Sequence, residues 1–101
     1  MDITTLIADT KARFSHNSAK AYLKDKYDSK FIVADQGGLW KANLTILAFL
    51  NASTDETVIL IDNFDNPVKV IRTRLLEVLT TAFNDTMEEW NAEWTSLENK
   101  R

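Results

Sequence analysis

Apolar residues recur along the chain with two different periods, and the switches between them mark a helical beginning, a strand-rich middle and a helical end. At the start, Ile3, Leu6, Ile7, Thr10 and Phe14 fall on one stripe at helical spacing, with Asp2 or Thr4 available as the cap. A second stripe, Ala19, Tyr22, Leu23 and Tyr27, would lie nearly opposite the first in a helix turning about 100° per residue. Opposed stripes cannot face one core from one straight helix. Between them stands Ser15-His16-Asn17-Ser18, whose side chains compete for helical backbone groups and can recap a new helix, so a break or sharp kink is expected there.

From Lys30 the spacing becomes that of strands. Phe31, Ile32 and Val33 lead into Gln36-Gly37-Gly38, where adjacent glycines admit positive φ and let the chain reverse into Leu39-Trp40-Lys41-Ala42. Asn43 to Leu50 (NLTILAFL) fits either a bent buried strand or a helical turn capped by Asn43, and the apolar run favours a strand ending in a turn or 3₁₀ segment. Val58-Ile59-Leu60-Ile61 lacks polar alternation, which predicts a strand covered on both faces. The Asn63-Phe64-Asp65-Asn66-Pro67 turn then returns the chain as Val68-Lys69-Val70-Ile71.

The longest pattern is the last. Leu75, Leu76, Val78, Leu79, Ala82, Phe83, Met87, Trp90, Trp94 and Leu97 project onto one half of a helix from about Thr73 to Asn99, and no Gly or Pro interrupts it. Glu77, Thr81, Asn84, Asp85 and Glu88 take the other side. Such a helix spans roughly 39 Å, against a radius of gyration of about 13 Å for a compact chain of this length. Its far end, with Trp90, Trp94 and Leu97, must be covered by the N-terminal helices or by another chain, because a water-exposed patch of that kind is unusual in a monomer. These three residues are therefore the candidate interface of a homo-oligomer, a dimer being favoured.

The fold expected is α+β. One domain over residues 1–101 contains two N-terminal helical segments, about four antiparallel strands in two hairpins and one long C-terminal amphipathic helix. A bent Sm-like or SH3-like barrel with the helix outside is the alternative closure. At 101 residues, with 45% hydrophobic and 27% charged residues, the chain has ordinary globular composition, and two Gly and one Pro argue against a loop-rich sandwich.

Candidate chemistry is sparse. The absence of Cys removes disulfides, thiolate metal sites and cysteine nucleophiles together. His16 is the only histidine and sits among capping residues, while the carboxylates Glu88, Glu89 and Glu93 lie on or beside a solvated helix face. Asp62 to Asn66 has Phe64 where a calcium loop needs an oxygen ligand, and Gly37-Gly38 with Lys41 lacks phosphate-loop spacing. Sequons at Asn43, Asn51 and Asn84 carry no weight without a secretory signal, which the MDITTLIADTKARF start lacks. These features point to a cytoplasmic non-enzyme with no catalytic residue, cofactor or metal, and no apolar run long enough for a membrane span.

Charge changes the picture in one respect. The net charge of −3 gives no global attraction to nucleic acid, yet residues 1–41 hold seven Lys or Arg against five acids, while residues 42–101 hold five against ten. Lys20, Lys24, Lys30, Trp40 and Lys41 are accordingly the candidate patch for an alternative reading, a small single-stranded nucleic-acid binder.

The stretches Ala34-Asp35-Gln36-Gly37-Gly38-Leu39-Trp40, Asp65-Asn66-Pro67-Val68-Lys69-Val70 and Met87-Glu88-Glu89-Trp90 resemble a family of short uncharacterised proteins of large T-even-type tailed phages, including those of marine cyanobacteria. The resemblance implies a phage protein acting in the host cytoplasm or in virion assembly. It brings no activity or site residues with it. The function expected is thus a protein–protein interaction or assembly module.

Overall fold

The computed structural model describes residues 3–99, with side chains from position 17 to position 99. Three helices and four strands follow in the order α1 (Ile3–Lys30), β1 (Ile32–Asp35), β2 (Gly38–Lys41), α2 (Leu44–Ala52), β3 (Thr57–Ile61), β4 (Pro67–Ile71) and α3 (Arg72–Asn99). The fold is α+β, as the change of apolar period predicts.

Three local expectations need correction. First, α1 runs without a break through Ser15 to Ser18. That stretch holds no Gly or Pro, its residues cost a helix only about half a kcal/mol each, and Asn17 and Ser18 are exposed, where water satisfies them. The stripe from Ile3 to Phe14 and the His16 side chain lie outside the described side chains. Of the second stripe, Leu23 and Tyr27 are buried and Ala19 is half-buried, whereas Tyr22 is 65% exposed.

Second, Asn43 to Leu50 is helical and not a strand. Asn43 Oδ1 accepts the Ile46 N–H at 2.9 Å and so caps α2, an alternative to the strand that apolar content alone cannot exclude. Third, β3 is not covered on both faces: Val58 and Leu60 are half-buried while Ile59 and Ile61 are exposed. Helices pack on one side only of this hairpin, so its other side stays bare.

The strands form two separate two-stranded antiparallel sheets, β1–β2 and β3–β4, with no barrel closure. In the first, Gln36 (φ 51°) and Gly37 (φ 83°) both take the left-handed conformation of a two-residue hairpin turn. Gly38 serves differently from the sequence expectation. It opens β2 beneath the Trp40 indole, where a Cβ would come within 2.5 Å of Cζ2.

Leu23, Tyr27, Phe31, Trp40, Ala42, Leu50, Val70, Leu75 and Leu79 form the core. The terminal helices run antiparallel: Lys26 meets Glu93, Lys30 meets Glu89, and Phe31 lies against Phe83 with ring centroids 5.7 Å apart. The C-terminal half of α3 is thus clad by α1, and the molecule is a rod of 66 × 24 × 19 Å with a radius of gyration of 19.4 Å.

Candidate functional site

The face of α3 that carries its tryptophans is only partly covered. Trp90 stacks on Tyr27, centroids 5.9 Å apart and planes within 9°, and meets Phe31 edge-on at 6.3 Å. Below this aromatic cluster one carboxylate ties the helices together. Glu93 Oε1 accepts from Lys26 Nζ at 2.5 Å and from the Tyr27 hydroxyl. The Lys26 and Tyr27 hydrogen bonds hold the Glu93 carboxyl below its ordinary value, and the same carboxylate raises both Tyr27 and Lys26 above theirs.

On one flank of this seam lies an open groove of about 640 Å³. Asn17, Lys20, Ala21 and Lys24 form the α1 wall, and Met87, Trp90, Asn91 and Trp94 form the α3 wall. Its surface is overwhelmingly apolar. Among the described residues neither Lys20 nor Lys24 meets a carboxylate, whereas Lys26, Lys30 and Lys41 are paired with Glu93, Glu89 and Asp28. Leu97 lies on the opposite flank, in a smaller cleft with Ala19, Tyr22, Leu23, Glu93 and Ser96.

The structure therefore divides both groups of residues singled out from the sequence. Trp90 and Trp94 share the groove, and Leu97 does not. Of the five residues in the nucleic-acid patch, Lys20 and Lys24 stand together, but Trp40 is 1% exposed with its indole N–H donated to the Asp35 carbonyl at 2.8 Å. No base can stack on that ring, and Lys30 and Lys41 are engaged elsewhere. The sequence does not mark Met87 and Ala21 as groove residues, because a broken α1 offers no antiparallel register in which Lys20 and Lys24 would face Met87 and Trp94.

Among the described residues no group of three or more His, Asp or Glu is placed to hold a metal ion, and no helix is long and apolar enough to cross a membrane. Comparison with known proteins finds no matching family model, no similar curated protein and no similar solved structure.

Proposed function

We propose that this chain is a non-enzymatic interaction module that self-associates by docking the α1–α3 groove of one copy onto that of a second. The observation that carries the reading is the composition of the groove. Met87, Trp90 and Trp94 offer an apolar surface to a neighbour, and the charged residues that line it are both lysines. Lys20 and Lys24 line the α1 wall, while Glu88 beside Met87 and Glu98 one turn beyond Trp94 are exposed on α3.

A two-fold axis through the groove sets the α1 wall of each copy against the α3 wall of the other. Lys20 and Lys24 then face the helix that carries Glu88 and Glu98, and the two helical pairs close as a four-helix bundle that hides the shared apolar stripe. An isologous contact suits an apolar groove with lysines on one wall and exposed carboxylates on the helix that forms the other. The setting that the phage resemblance implies is the host cytoplasm or virion assembly.

Light scattering on the purified chain tests this. The wild type is expected at twice 11.5 kDa or more, and Met87→Glu and Trp94→Asp at a clearly lower mass with helical circular dichroism retained. Met87 is 40% exposed and supports no core contact that a glutamate would break. A wild-type mass of one chain at every concentration overturns the reading.

A further inference from the structure

The two edges of the β3–β4 sheet are built differently. Arg72 N–H bonds to the Glu56 carbonyl and Asp62 N–H to the Asn66 carbonyl, each at 3.0 Å, and the register pairs Val58 with Val70 and Leu60 with Val68. In an antiparallel ladder hydrogen-bonded pairs alternate with non-bonded ones. The backbone groups of Thr57, Ile59 and Ile61 on β3, and of Pro67, Lys69 and Ile71 on β4, therefore point out of the sheet.

On β4 this outward edge is closed. Pro67 has no N–H, Lys69 places a charge there, and the Gln36 side-chain amide takes both backbone groups of Ile71, its Oε1 accepting the N–H at 2.7 Å and its Nε2 donating to the carbonyl at 3.3 Å. The segment from Gln36 to Leu39 is tied to the far end of the hairpin as well, where the Leu39 carbonyl accepts from Asn63 N–H at 2.8 Å. β3 has none of these devices. Its sequence is Thr-Val-Ile-Leu-Ile, uncharged throughout, and Ile59 and Ile61 are 68% and 69% exposed. Charges, prolines and covering loops are how sheet proteins keep an edge from pairing, and here they are spent on one edge only.

We infer that β3 is a docking edge and that its occupant is β3 of a second copy, paired antiparallel about a two-fold axis through Ile59. Outward N–H and C=O groups in a row require an extended backbone, and exposed isoleucines at alternate positions require an apolar strand of the same period. β3 itself meets both requirements. The two-fold sets Ile59 opposite Ile59 and Thr57 opposite Ile61, with no charged residue of either strand facing another, and joins two marginal hairpins into one four-stranded sheet. This edge lies apart from the groove and stands without it. Where both contacts form, two different two-fold interfaces alternate and link copies into a linear assembly.

Amide hydrogen exchange tests the edge in the full chain, both as wild type and as Met87→Glu, the second keeping a failure of the groove distinct. Val58 and Leu60 amides, bonded inside the hairpin, are the internal reference. Thr57, Ile59 and Ile61 amides are expected to slow by about tenfold or more as concentration rises, in both proteins. Ile59→Lys, which sets two ammonium groups face to face, is expected to abolish that slowing at positions 57 and 61 while leaving Val58 and Leu60 protected. Unprotected amides at all three positions at every concentration, or protection that ignores concentration, overturn the inference.

Discussion

Asp62 is buried at the turn of the second hairpin yet charged at neutral pH, because three backbone N–H groups converge on it. Oδ1 accepts from Asn66 and Phe64, both at 3.0 Å, and Oδ2 from Leu39 at 3.2 Å. These bonds, that from Asn66 foremost, hold the carboxyl below its ordinary value of 3.8. A depressed carboxylate stabilises the fold fully above its unfolded value and less as protons return. Thermal melts from pH 7 downward are thus expected to show stability falling as pH drops through and below 3.8. Asp62→Asn is expected to melt lower at pH 7, since its amide turns a donor toward the Leu39 N–H, and to flatten the acid limb. An unchanged limb would mean that Glu93, depressed from 4.5 by Lys26 and Tyr27, carries the acid sensitivity alone. The sequence shows Asp62 at the mouth of a turn. That it also reaches Leu39, 23 positions away, depends on how two hairpins meet, which no local pattern encodes.

At the scale of elements, legibility followed the length of the pattern. α3 was readable almost to the residue, because ten apolar positions at one period leave no alternative phase, and its expected solvent face of Glu77, Thr81, Asn84, Asp85 and Glu88 is exposed. The α2 segment is ambiguous in sequence because eight residues rich in apolar side chains satisfy a strand as well as a helix. The outcome turns on one cap and on which residues find cover, Leu50 being buried while Leu44 and Phe49 are not. Asn43→Ala is accordingly expected to lower stability by about 1 kcal/mol in urea unfolding, the usual cost of a lost cap. Leu79→Ala, which empties a fully buried position between the helices and the sheets, is expected to cost more, about 2–5 kcal/mol. Equal effects would show that α2 owes its helicity to its cap as much as the core owes its cohesion to α3.

At the scale of the whole molecule, the radius of 19.4 Å against the roughly 13 Å of a compact chain reflects two antiparallel 28-residue helices that overlap only where the second half of α1 meets the second half of α3. A rod exposes more surface per residue than a sphere, so much of its stability is left to be gained by association. If the groove is self-complementary, unfolding consumes a dimer, and the melting temperature must rise with protein concentration. A concentration a hundredfold above the dissociation constant adds about 2.7 kcal/mol. Met87→Glu combined with Ile59→Lys, which removes the β3 edge contact as well, is expected to melt at one temperature whatever its concentration. Salt separates this from phosphate binding by the same lysines. Lys20 and Lys24 line the groove on α1, where pairs with carboxylates are screened beyond about 10 Å at 0.1 M salt, so added salt trims the concentration dependence, while the apolar Met87, Trp90 and Trp94 surface preserves most of it. Binding to a single strand through those lysines would instead fall steeply and linearly in log salt. A melting temperature that climbs with concentration at high salt as well as low is therefore the signature of an apolar contact between copies, and one that climbs only at low salt would mean that charge, not the tryptophan stripe, holds them.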